Sequence, residues 1–94
     1  MSKVKSSTDT SLDANKDYTN KDYHEEMRAI GLNIAYFRKL KGLTQIQLAE
    51  KLDISRTHMS NIEATNVDTS VSLLLLFKIA DCLDIDIVKL FEKH

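Results

Sequence analysis

The sequence predicts an all-α protein of five helices behind a polar N-terminal arm. Three observations carry this reading. Apolar residues recur at steps of three and four from Tyr23 onward, no segment alternates as a strand would, and the 94 residues contain no proline to interrupt a helix. A chain of this length has room for one modest core, so the expected organisation is a flexible arm over residues 1–21 and a single domain over 22–94.

The arm is rich in Ser, Thr, Asp, Asn and Lys, with Val4 and Leu12 as almost its only sizeable aliphatic side chains. Such a segment cannot bury enough surface to offset its ordering entropy. From Tyr23 the residues Tyr23, Met27, Ile30, Ile34 and Phe37 form one helical stripe. Thr19 followed by Asp22 has the form of a capping box, so the first helix is expected to start near Asn20 and to stop at Gly42. Thr44 is a good N-cap for a short second helix, QIQLAEKL, with Leu48 and Leu52 inward and Ala49 small enough to admit a neighbour. Asp53 and Ile54 make a tight break, and Ser55 caps a third helix, RTHMSNIEA, in which Met59 and Ile62 share a face. ATNVDTS is a polar loop. A fourth helix is expected over about 71–83, with Leu73, Leu76, Phe77, Ala80 and Leu83 as its core stripe, and Asp86 caps a last helix, IVKLFEKH.

Composition narrows the function classes. The longest apolar run, LLLLF at 73–77, is too short for a membrane span, and the N-terminus lacks the apolar stretch of a secretory signal. The single cysteine, Cys82, rules out an intrachain disulfide and fits a reducing cytoplasm. The net charge of −1 argues against non-specific coating of nucleic acid. Charge is unevenly spread, however. Arg38, Lys39, Lys41, Lys51 and Arg56 make the middle basic, whereas Asp68, Asp81, Asp84, Asp86 and Glu92 make the C-terminal third acidic. The histidines are scattered and no glycine-rich phosphate loop is present, so neither an enzyme, a metal site nor a cofactor is expected.

The two short helices joined by a tight turn, with Ala49 in the first and Ile54, Met59 and Ile62 anchoring the second, are the packing unit of a helix-turn-helix. Residues 30–91 resemble the lambda-repressor and Cro (XRE-type) helix-turn-helix family, through IGLNIAYFRKLKGLTQIQLAEKLDISRTHMSNIE and the distal LFKIADCLDIDIVKLF. The run GLTQIQLAEKLDIS followed by IE is the specific part of the match. The resemblance implies a five-helix lambda-repressor-like fold and double-stranded DNA as the partner.

With Met59 and Ile62 inward, Arg56 with Ser60, and Thr57 with Asn61, make the outward surface of the third helix. Their chemistry suits base edges: Arg pairs with guanine O6 and N7, Asn with adenine N6 and N7, and Ser or Thr with either. A merely solvated polar face is the alternative. The resemblance implies a backbone phosphate contact for Gln45 at the start of the second helix, where the helix N-terminus also favours an anion. Thr44, Lys39, Lys41 and His58 are further phosphate candidates, with capping, helix-dipole and bystander roles as their respective alternatives. The resemblance also implies an internal ion pair between Arg38 and Glu63.

Two departures from the family pattern matter. Asp53 stands at the turn position usually held by glycine, and the loop after Glu63 contains Asp68 where Lys or Arg often grips phosphate. The arm lysines Lys3, Lys5, Lys16 and Lys21 are an alternative source of backbone contacts, although Asp9, Asp13, Asp17 and Asp22 balance them.

Leu74, Leu75 and Val88 are apolar where the core does not need them and are expected at a homodimer interface; covering the extended first helix is their alternative use. The expected function is a cytoplasmic, nucleoid-associated transcriptional regulator, a repressor, binding a palindromic operator as a dimer. The alternatives are a restriction-modification controller, an antitoxin-type regulator, or a protein-interaction module that has lost DNA binding.

Overall fold

The computed structural model describes residues 15–19, 22–66 and 69–94. Among them are four α-helices, α1 (His24–Leu40), α2 (Gln45–Leu52), α3 (Arg56–Glu63) and α4 (Leu73–Leu83), then a short 3₁₀ helix (Ile87–Phe91); none is in a strand. No helix among the described residues is long and apolar enough to cross a membrane.

The start of α1 differs from the sequence expectation. Thr19 donates both its backbone N–H and its hydroxyl to Asp17 Oδ1, at 3.0 and 2.7 Å, so it makes no capping box with Asp22. This local bond competes with helix initiation. Asp22 instead accepts the backbone N–H of His24 at 2.9 Å, and the helix begins there rather than near Asn20. Asn20, Lys21 and residues 1–14, and with them most of the expected arm, lie outside the described residues, as do Val67 and Asp68 of the polar loop. At its other end α1 stops where Gly42 takes φ +78°, a conformation that glycine adopts without strain.

The remaining helices begin where their caps are written. Thr44 accepts the Gln47 N–H at 3.1 Å while the Gln47 side chain accepts the Thr44 N–H at 2.8 Å, a complete capping box. Ser55 accepts the His58 N–H at 2.9 Å, and Ser72 accepts the Leu75 N–H at 3.1 Å. Both α2 and α4 end on an aspartate in the left-handed region, Asp53 at φ 56° and Asp84 at φ 57°.

The C-terminal segment is a 3₁₀ helix ending at Phe91, not an α-helix reaching His94. Asp86 caps it through the Val88 N–H at 3.0 Å. Its end is tied to α1. Asn33 is 3% exposed, and its side-chain amide donates to Leu90 O at 3.0 Å and Glu92 O at 2.6 Å. These bonds hold the two carbonyls that flank Phe91 against α1.

One fully buried side chain from each element meets at the centre: Ile34, Leu48, Met59, Ile79 and Leu90. In α4 the core line is Leu76, Ile79, Ala80 and Leu83. The expected stripe is therefore rotated: Leu73 and Phe77 are exposed, and Ile79, overlooked in that stripe, fills the space beneath the helix. Gly31 lets α1 approach α3 closely, since a Cβ there would stand 2.6 Å from the Ile62 carbonyl oxygen.

Candidate nucleic-acid interface

The surface that the sequence assigns to base recognition is one face of α3. Its first turn is fixed by the Ser55 cap and its underside by buried Met59 and Ile62. These inward anchors leave Arg56, Thr57 and Ser60 exposed, while Asn61 is half-buried beside them. His58 is also half-buried. Asp53 and Ile54 set the angle between α2 and α3: the Asp53 N–H reaches Glu50 O at 3.2 Å and the Ile54 N–H reaches Ala49 O at 3.0 Å, closing α2 around the left-handed aspartate.

Beneath this face lies a polar network that joins three helices. The Arg38 guanidinium donates to both carboxylate oxygens of Glu63, from Nε to Oε2 at 2.7 Å and from Nη2 to Oε1 at 2.9 Å. Its third nitrogen, Nη1, donates to the Leu43 carbonyl at 2.8 Å. Both side chains are more than nine-tenths buried. Such a pair is tolerable in a small core because every guanidinium nitrogen has an acceptor and the fork geometry matches the carboxylate.

Gln45 completes the network. Its Nε2 donates to Glu63 Oε1 at 2.9 Å, which leaves the second N–H of the same amide for another acceptor. The side chain is thereby held at the first turn of α2, where unpaired backbone N–H groups favour an anion. Thr44 uses its hydroxyl oxygen as a cap acceptor, with the O–H still able to donate. Lys39 and Lys41 are exposed near the end of α1, and Lys41 Nζ stands 3.9 Å from Asp84 Oδ2, an open surface pair worth little.

Ile46 was not singled out by the sequence reading. It is half exposed and lines a cleft of about 320 Å³ together with Arg38, Leu43, Thr44, Gln45 and Arg56. The signal was available: with Leu48 and Leu52 inward, the second position of α2 must point out. The three residues expected at a subunit interface separate into two groups. Leu74 and Val88 are exposed, whereas Leu75 is half-buried and packs against the core. Among the described residues no cluster of three or more His, Cys, Asp or Glu is placed to hold a metal ion.

Two short capped helices, a left-handed turn and an outward polar face on the second helix define a helix-turn-helix protein. The helix-turn-helix family model matches residues 34–90, more than half of the chain, and the chain belongs to that family in its XRE-type branch. It is 38% identical over 66 residues to the HTH-type transcriptional regulator SinR of Bacillus subtilis (strain 168), covering 69% of this chain and 59% of that protein. The chain therefore spans somewhat over half the length of that relative. Among solved structures it resembles the restriction-modification controller protein C.AhdI from Aeromonas hydrophila, with TM-score 0.63 and 31% identity over 69% of this chain and 96% of that one. It also resembles SinR, described as the master regulator for biofilm formation, in complex with DNA, with TM-score 0.61 and 35% identity over 67% of this chain and 98% of that one.

Proposed function

We propose that this protein is a sequence-specific, double-stranded-DNA-binding transcriptional repressor that acts as a homodimer on a palindromic operator in the cytoplasm, at the nucleoid. The observation that carries the reading is the buried Arg38–Glu63–Gln45 network, which ties the phosphate-facing start of α2 to the base-facing helix α3. Base readout is assigned to Arg56, Thr57, Ser60 and Asn61. Backbone phosphate contact is assigned to Gln45 and Thr44, with Lys39, Lys41 and His58 at the edge. A SinR structure containing DNA supports this, because its fold superposes over two-thirds of the present chain.

The apolar surface that the core leaves uncovered supports the dimer in this reading. Leu73, Leu74 and Phe77 on α4 are exposed, as are Val88 and Phe91, which are three apart and stack along the 3₁₀ helix. A symmetric pair would present two copies of α3 to two half-sites of an operator. Residues 22–94 would then act as one domain carrying both the DNA face and the pairing face. The C.AhdI likeness favours a second reading within the same class, a restriction-modification controller, because the match extends over nearly all of that chain.

Selection of genomic fragments by the purified protein, followed by competition between the selected operator and a scrambled duplex at one salt concentration, tests the proposal. Arg56→Ala and Asn61→Ala are each expected to weaken operator binding by about 1 to 3 kcal/mol and to leave scrambled DNA nearly unaffected. Gln45→Ala is expected to weaken both duplexes alike, as loss of a phosphate contact does. Equal losses on both duplexes for the two α3 variants remove that helix from base readout.

A further inference from the structure

A second apolar surface lies on α1, on the side turned away from the core. Leu32, Tyr36 and Leu40 are 43, 59 and 69% exposed and fall four residues apart, which places them in a single line along the helix. The line borders a groove of about 570 Å³ between α1 and the C-terminal segment, lined by Leu32, Tyr36, Phe37, Lys89 and Glu92. Tyr36 stands at its edge, its ring meeting Phe37 edge to face at 5.0 Å.

This surface is separate from the pairing face proposed on α4. The 3₁₀ helix has three residues per turn, so it turns Leu90 into the core, Lys89 towards the α1 groove and Val88 to a third side. Lys89 and Glu92 pair across 3.8 Å, and Lys93 reaches Glu26 at 3.1 Å. The C-terminal rim of the groove is thus electrically balanced, and exposed Lys39 adds a single positive charge on the α1 side, so an identical face meets little like-charge repulsion there.

We propose that this face binds the same face of a second copy of the chain, through antiparallel α1 helices crossing at Tyr36. The pattern meets the requirement of a two-fold interface, in which a patch must complement itself. Centred on Tyr36, antiparallel pairing sets Leu32 of each copy against Leu40 of the other. It also brings each projecting Tyr36 ring over the groove beside its counterpart. The area decides how strong the contact is. A freely stable pair buries about 800 Å² on each partner, and a line of three side chains with its flanks supplies roughly half of that. Pairing through α1 is therefore a weak association, which fills when copies are concentrated or held side by side.

The inference does not depend on DNA binding, and cross-linking of the whole chain tests it. In a Cys82→Ala background, which removes the natural thiol, Tyr36→Cys is treated with a short bis-maleimide at about 100 µM protein, a concentration at which a weak contact is populated. It is expected to give covalent dimers several-fold above an exposed Lys51→Cys control. A mixture of Leu32→Cys and Leu40→Cys chains is expected to cross-link between the two types more than within either. The companion variant Tyr36→Asp with Leu40→Asp is expected to sediment one association step below the wild type at the same concentration. Leu32, Tyr36, Leu40 and Lys51 are exposed and the Cys82→Ala background trims only a half-buried thiol, so the variants keep the fold, and helicity by circular dichroism checks it.

Cross-linking of the Tyr36→Cys chain no stronger than the control overturns the proposal. So does preferential linkage within one type of chain, or a Tyr36→Asp, Leu40→Asp variant that sediments as the wild type does. Repeating the series with Phe77→Asp and Val88→Asp keeps the two interfaces apart. Loss of the α4 pairing alone lowers the association state and leaves the Tyr36→Cys cross-link in place.

Discussion

Removing Glu63 tests the network on which the helix-turn-helix rests. Glu63→Ala leaves the Arg38 guanidinium buried with only the Leu43 carbonyl as partner, and it frees the Gln45 amide. Breaking a buried pair by deleting one member costs about 3 to 5 kcal/mol, because the remaining charge is uncompensated. A folded chain of this size is stable by only about 5 to 10 kcal/mol, so the variant should lose near half its stability. Replacing both partners by apolar residues of similar bulk, Arg38→Met with Glu63→Leu, removes the stranded charge and should recover most of the loss. Urea unfolding of wild type, Arg38→Met, Glu63→Leu and the double variant gives the coupling directly, provided the slopes agree. A Glu63→Ala loss under about 1 kcal/mol, or a double variant whose loss is the sum of the single ones, refutes the reasoning. The double variant carries a second expectation: with Gln45 unanchored, it should bind operator more weakly than its restored stability suggests.

Other outcomes follow from single positions. Leu74→Asp with Val88→Asp should give a folded chain that sediments as a monomer at micromolar concentration, whereas Leu75→Asp should unfold more readily, since Leu75 packs on the core. Gly31→Ala should destabilise by about 1 to 3 kcal/mol in thermal or urea unfolding, because the new methyl meets a backbone carbonyl that cannot rotate aside. Asp53→Gly should raise stability by up to about 1 kcal/mol by relieving the left-handed aspartate; an unchanged midpoint would show that the local bonds of the aspartate offset the strain.

The elements that the sequence makes legible are those whose ends carry a side-chain cap. Thr44 and Ser55 are each followed by the helix they announce, and Asp86 by a shorter 3₁₀ helix, because the cap bond is local and needs nothing from the rest of the fold. The start of α1 was misread for a local reason too, since Asp17 takes Thr19 before Asp22 can. The face of α4 was not legible. LLLLF offers an apolar side chain at every angle, and only packing against α2 and the C-terminal segment selects Leu76 and Ile79 over Leu73 and Phe77. The length of the last helix was also hidden, because Asn33, which holds its end, is distant in sequence. At the candidate site the outward positions of α3 were readable from Met59 and Ile62. The bond from Gln45 to Glu63 was not, since it exists only once α2 and α3 are packed.

The Asn33 clamp has a consequence for the order in which the protein is made. Its partners lie 57 and 59 residues further along the chain. The Gly31 contact with Ile62 is likewise absent until α3 has been synthesised. Helix α1 is thus only partly covered once α2 and α3 have packed on Ile34 and Arg38, and its remaining apolar side stays open until the segment around Leu90 emerges. Loop closure over such a span grows only slowly more costly with length, so the delay is set by translation and not by the search. During that interval the side of α1 that meets the C-terminal segment is open to chaperones, and a ribosome stalled before Leu90 would display Asn33 without the two carbonyls it binds.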